Sequence, residues 1–144
     1  MSTDRLAADL SGLILLDFEL IRAYQAAIRG ATAGLRPHLA RLMADHEEQA
    51  RDLVAEAARL GGRPPTVRAV KGRQAAELAG LKDEAEMLGR LLAIEGEVAA
   101  AYAEAAGWAA GSPLAEVAEA LGRFAARERG HTRWLKRRLG GRAG

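Results

Sequence analysis

Residues 127–135 read RERGHTRWL, and they place Glu128 and His131 three apart in a chain that contains only three histidines. Positions three apart share a helix face, and Leu121, Phe124, Leu135 and Leu139 extend that face at spacings of three and four. A carboxylate and an imidazole therefore occupy a stripe that should be buried. Burying them is costly unless partners meet them there, so the meaning of this stretch depends on whether other helices turn polar residues inward at the same level.

The chain of 144 residues is long enough for one domain with a sizeable core, and no shift in composition marks a second, so residues 1–144 are expected to form a single domain. Ala, Leu, Glu and Arg dominate while aromatic residues make up 4%, which favours helices because straight-chain side chains lose little rotamer freedom there. The fold class is all-α. There are no cysteines, which excludes disulfides and thiolate metal sites, so any metal must use oxygen and imidazole ligands. The opening MSTDRLAADLSGLILLDF carries Asp4, Arg5 and Asp9 around a short apolar patch, so it resembles neither a signal peptide nor a membrane span, and a cytoplasmic location is expected. The net charge is +2, and only the tail RERGHTRWLKRRLGGRAG is clearly basic. Lys136, Arg137 and Arg138 complement a helix dipole at its C-terminus, a simpler account than a nucleic-acid patch.

Four amphipathic segments follow one another, over about 4–29, 37–60, 82–107 and 113–139. The first ends in GATAGLRP, and Pro37 suits the first turn of the second because it has no N–H to lose. The second stops at GGRPP, after which some twenty residues lead to the third, with room for a short helix and enough length to cross a bundle. Ser112 and Pro113 supply an N-cap and first turn for the fourth. The layout is two helical hairpins joined by a long crossover.

The first helix lines up Leu6, Leu10, Leu13, Asp17, Leu20 and Tyr24; the third lines up Leu88, Leu91, Glu95, Val98, Tyr102 and Ala105. In each, a carboxylate interrupts the apolar stripe and a tyrosine follows seven residues later. The second offers Leu39, Leu42, His46, Gln49, Leu53 and Leu60, in register with the Glu128 and His131 stripe: His46 matches Glu128 and Gln49 matches His131. The chain reads as two diverged copies of one hairpin. In a four-helix bundle these polar residues meet at one level of the core, where unpaired carboxylates must share protons, bind a cation or bond to neighbours. A divalent metal would supply the missing positive charge, with Glu128 and His131 about 4.5 Å apart in rise on one helix. Side chains lean toward the helix N-terminus, so Tyr24 should lean toward Asp17 and Tyr102 toward Glu95, orienting the ligands from behind.

At these residues the sequence resembles the ferritin-like superfamily, especially its rubrerythrin-like end and small bacterial members whose second helix ends in a signal like LGGRP here. The resemblance covers nearly the whole chain and implies a ferritin-like four-helix bundle. It also implies a family pattern in which one Glu from each of helices one and three, and an ExxH from each of helices two and four, bind two irons. Glu95, Glu128 and His131 match that pattern, and Tyr24 and Tyr102 fall at its tyrosine positions. The first repeat departs from it: Asp17 stands for Glu, His46 for the bridging Glu of helix two, and Gln49 for its His.

Since His46 cannot bridge two metals and neutral Gln49 is a poor iron ligand, one ion per chain is favoured over two. Its candidate ligands are Glu95, Glu128, His131 and His46, with Asp17 a further one, a donor set suited to Fe, Mn or Zn. Tyr24, Tyr102 and Gln49 stand behind them. The resemblance implies iron- or manganese-dependent redox chemistry. The alternative is a non-catalytic bundle with a vestigial site, serving a structural, stress or partner-binding role and holding no metal. There, Asp17, Glu95 and Glu128 share protons or pair with protonated His46 and His131. His38, Glu19 and Glu97 read as surface residues, and no residue is singled out as catalytic. Ile14, Leu15, Leu16, Phe18 and Ile21 give helix one a second apolar face, for which a second subunit, in a dimer, would be the cover.

Overall fold

A computed structural model describes residues 3–110 and 114–143. Helix α1 covers Thr3–Gly30, α2 Arg36–Arg59, α3 Arg73–Ala79, α4 Glu84–Ala109 and α5 Ala115–Ala143, with a 3-10 turn at Val67–Ala69. No strand occurs among the described residues. Helices α1 and α2 pack as one hairpin and α4 and α5 as another; α1 lies against α4, while α2 and α5 share the smallest of these helix–helix interfaces. No helix among the described residues is long and apolar enough to cross a membrane.

Local chemistry sets each boundary. Leu35 and Arg36 both donate their amides to the Thr32 carbonyl at 3.1 Å, closing the α1–α2 turn. Pro37 then falls in the first turn of α2. Leu60 caps the far end of α2. There Gly61 adopts a φ of +83°, which only glycine enters without strain, and the Gly61 and Gly62 amides return to the carbonyls of Ala58 and Ala57. Gly62 is required for a different reason: a Cβ there would meet the Ala7 side chain at 3.1 Å and the Ala57 oxygen at 3.2 Å. The sequence GGRPP thus stops the helix and lets the crossover leave it close against α1.

The crossover does hold a short helix, α3, which packs on α1 and buries Leu78, with Val70 buried just before it. Arg22 reaches the Val67 carbonyl, and Arg90 of α4 bonds Gln74 and pairs with Glu77, so the crossover is fastened to both helices it spans. The third long helix begins at Glu84 rather than near Lys82, because Asp83 is extended and accepts the Glu86 amide as an N-cap. Helix α5 continues past Leu139 through Gly140 and Gly141. Leu139 still packs on the core, and glycine costs a helix only about 1 kcal/mol relative to alanine. The expected cap at Ser112 and Pro113 lies outside the described residues.

The four stripes converge as the spacing implies. Leu10, Leu39, Leu88 and Leu121 are all essentially inaccessible, each burial worth about 1.5–3 kcal/mol. Ala105, Leu60 and Leu139, at the stripe ends, are half-buried. Of the second apolar set on α1, Ile14 is buried and Leu15, Leu16, Phe18 and Ile21 are half-buried. The crossover runs over part of that face, so the chain itself supplies some of the cover that a second subunit was expected to give.

Candidate metal centre

Six polar side chains from four helices meet in the middle of this apolar core: Asp17 from α1, His46 and Gln49 from α2, Glu95 from α4, and Glu128 and His131 from α5. The first five have no solvent exposure and His131 has 4%. Helical periodicity puts them there, since each replaces an apolar residue in a stripe that otherwise faces the bundle axis.

Each histidine is held at one nitrogen by an aspartate and presents the other to the same two glutamates. His46 Nδ1 is 2.7 Å from Asp17 Oδ1, while its Nε2 is 2.7 Å from Glu95 Oε1 and 3.4 Å from Glu128 Oε1. His131 Nε2 is 2.8 Å from Asp45 Oδ2, while its Nδ1 is 2.7 Å from Glu95 Oε2 and 3.6 Å from Glu128 Oε2. The two glutamates therefore offer one oxygen to each imidazole. Gln49 donates its amide to Asp17 at 3.2 Å and to Glu128 at 3.0 Å, and the Tyr102 hydroxyl donates to Asp17. His46, Glu95, Glu128 and His131 each bring a ligand atom into one group within 4.8 Å. Ligands on bonds of about 2.1 Å sit about 3.4 Å apart in a tetrahedron, so the group is of the right size for a small cation.

The fold has a match among solved structures. A chain described as a crystal structure of ferritin like, diiron-carboxylate proteins from Bacillus anthracis str. Ames superposes with a TM-score of 0.84 at 23% identity, covering 96% of this chain and 99% of that one. This chain has the ferritin-like fold. No protein-family model matches the sequence, and no curated protein matches it.

Within this ferritin-like core the electrostatics are strongly coupled. Burial alone would lower the basicity of His46, but the charge of Glu95 and the contacts with Asp17 and Glu95 outweigh it and hold the imidazole well above its ordinary value. Both its nitrogens face carboxylate oxygens at hydrogen-bond distance, which requires a proton on each. His131, likewise opposed by burial, is raised to about 10 by the close approach of the Glu128 and Glu95 carboxylates. Burial pushes Glu128 up to about 7 and also raises Asp17, whereas for Glu95 the burial effect is overcome by the charge of His46 and the bond to His131, leaving it well below the carboxylate range. Both tyrosines are raised, chiefly by burial, then by Glu95 beside Tyr24 and by Asp17 beside Tyr102.

Hydrogen bonding is incomplete within the cluster. Glu95 Oε2, Glu128 Oε2 and His131 Nδ1 are buried with no hydrogen-bond partner among the protein's atoms, as are Gln49 Oε1 and Tyr24 Oη. The approach of Glu95 Oε2 to His131 Nδ1 is close enough for an ion pair yet lacks the alignment of a hydrogen bond.

The ferritin-like core corrects several expectations. Asp17 lies outside the group of four, its oxygens engaged by His46, Gln49 and Tyr102. Tyr102 crosses to Asp17 rather than leaning along its own helix to Glu95, since seven residues of rise are about 10 Å, farther than the side chain reaches. Tyr24 stacks on His46, ring centroids 5.9 Å apart. His38 is half-buried against Trp134, and Glu19 is half-buried with Oε2 unpartnered, whereas Glu97 is exposed as expected. Sequence reasoning missed Asp45. Its signal was present: it follows Leu42 by three residues and precedes Gln49 by four, which puts it on the edge of the α2 stripe.

Proposed function

We propose that this ferritin-like chain binds one divalent transition-metal ion, with iron the first candidate and manganese or zinc next, held by Glu95, Glu128 and His131 with His46 alongside. The observation that carries this reading is the coincidence of three buried atoms without a hydrogen bond: Glu95 Oε2 and Glu128 Oε2 lie 2.7 and 3.6 Å from His131 Nδ1, held by charge alone. Two carboxylates and an imidazole are what such an ion requires, and two carboxylates neutralise its charge. The diiron-carboxylate description of the similar structure favours iron. Bound there, iron or manganese would supply one-electron chemistry toward dioxygen or peroxide.

The protein's own residues prepare that site. Asp45 and Asp17 each hold one histidine nitrogen, fixing ring orientation and raising the basicity of the other nitrogen. Tyr102 and Gln49 complete the bonds of Asp17 without adding charge. Leucine layers and Phe124 exclude water, which strengthens every electrostatic interaction inside. The second position implied by a two-metal pattern is poorly provided for: both nitrogens of His46 are engaged by carboxylates and Gln49 is uncharged.

Protein purified without chelator, then titrated with Fe²⁺ under argon and assayed by elemental analysis, should hold one ion per chain. Two tightly held ions would overturn the single site. No binding at all would favour a second reading supported by a specific observation: His46 and His131, both protonated, lie between Asp17, Glu95 and Glu128 and nearly balance them as a metal-free polar core.

A further inference from the structure

The buried group is sealed unevenly. On the α1–α4 side the crossover lies over the bundle, with Val70 and Leu78 buried beneath it and Arg90 tied to Gln74. Asp17, His46, Gln49, Glu95 and Glu128 have no exposure from any direction. On the α2–α5 side the two helices share the smallest interface, and here the group reaches the surface: Asp45 is 33% exposed, and it holds the outward nitrogen of His131 while the inward nitrogen faces Glu95 and Glu128. One imidazole thus separates a solvent-accessible carboxylate from the site.

The same seam carries a track of acids. Asp45, Glu48, Asp52 and Glu56 recur along α2 at spacings of three and four, so they share a face, and their contacts show that it is turned toward α5. Asp45 bonds His131, Glu48 pairs with Arg127 at 3.5 Å, and Asp52 and Glu56 line a groove opposite Glu116 and Arg123. The groove floor includes Leu53 and Phe124, one turn from Gln49 and Glu128. The acids alone would be an ordinary solvated face. What gives them a direction is the buried His131 ring, whose Nε2 meets Asp45 at 2.8 Å while its Nδ1, without a hydrogen bond, faces Glu95 and Glu128 on the other side.

We propose that divalent cations reach the buried group along the α2–α5 seam, with Asp45 as their first ligand and the Glu48–Arg127 pair closing the mouth. This rests on the metal-site reading above. The acids raise the local cation concentration, Asp45 captures an ion at the outer nitrogen of His131, and a swing of that side chain passes it to Glu95 and Glu128. Arg127 is the positive charge an entering cation must pass.

The test is the rate of Co²⁺ uptake by chelator-stripped protein, followed in a stopped-flow instrument by ligand-field absorption, with bound metal measured at equilibrium. Arg127→Glu should accelerate uptake about three- to tenfold at low salt, and the gain should shrink as ionic strength rises. Asp52→Lys, a change at an exposed position, should slow uptake by a similar factor, while Glu97→Lys on the α1–α4 side should leave it unchanged. All three should still hold one ion at equilibrium. If Glu97→Lys slows uptake and the seam variants do not, or if none alters the rate, the route is wrong although the site stands. If the unaltered protein holds no Co²⁺ at equilibrium, the site reading fails and the route falls with it.

Discussion

The two hairpins bring the same stripe to the core and resolve it differently. In α1 and α2, Asp17 is bonded by His46, Gln49 and Tyr102, and His46 has a carboxylate at each nitrogen. In α4 and α5, Glu95 Oε2, Glu128 Oε2 and His131 Nδ1 are buried close together without a hydrogen bond, held by charge alone. One half has most of its charged atoms hydrogen-bonded, with help from Glu95 and Tyr102, and the other holds the atoms that the proposed cation would engage. The difference arises from three side chains. Asp17 is held back by His46, Gln49 and Tyr102, the imidazole of His46 sits between carboxylates at both nitrogens, and the amide of Gln49 bonds two carboxylates without charge.

The sharpest way to break this comparison is to remove the open half. His131→Ala should abolish metal binding, since it deletes an imidazole ligand and leaves Glu95 and Glu128 facing each other; bound metal after dialysis reads this directly. Next in size, His46→Glu combined with Gln49→His should make the first hairpin resemble the second and raise capacity from one ion toward two, again by elemental analysis. If capacity stays at one, the asymmetry lies elsewhere than in these side chains. Asp45→Asn should weaken affinity by about 10–100-fold, the usual range for a group that orients a metal-bound histidine, measured by competition with a chelator. Gln49→Ala should change affinity least, less than about tenfold by the same competition, because no cation depends on its charge.

A pH series sharpens the same contrast without mutation. His46 is raised above 6.5 and His131 from 6.5 to about 10 in the folded protein, so their stabilising effect is fully present below about 6.5 and is lost as pH climbs through the folded values. Glu128, raised from 4.5 to about 7, acts in the same direction between those two values, whereas Glu95, lowered, loses its contribution as pH falls below 4.5. Metal-free protein should therefore melt at its highest temperature near pH 4–5 and at progressively lower ones toward pH 10. With metal bound, the proton of His131 is already displaced, so the alkaline decline should flatten and affinity should rise with pH. Melts recorded with and without chelator that share one slope would contradict this.

Much of the fold was legible because its signals are local or periodic. Stripes such as Leu6, Leu10 and Leu13 follow from spacing alone, and GGRPP ends a helix by glycine and proline chemistry. The six core polar residues were legible for the same reason: a charged residue in an apolar register stands out. What was lost depends on how helices face each other. Asp45 looked like one more acid on a charged helix until α5 placed His131 2.8 Å from it. The reach of Tyr102 to Asp17 could not be read along one helix, because the partner lies on another. The register of Asp17 is that of the other core carboxylates, but its bonds to His46, Gln49 and Tyr102 depend on three other helix positions and could not be read from spacing.

The cluster also bears on how the molecule comes apart. Helices α2 and α5 share the smallest of the long-helix interfaces, yet His46 is bound to Glu95, Gln49 to Glu128 and Tyr102 to Asp17, so these side chains fasten the first hairpin to the second. Neither hairpin can peel away without stranding charges from the other in an apolar interior. Partial opening is thereby penalised, and the backbone amides that flank the cluster in all four long helices belong to one cooperative unit of exchange rather than to two independent hairpins.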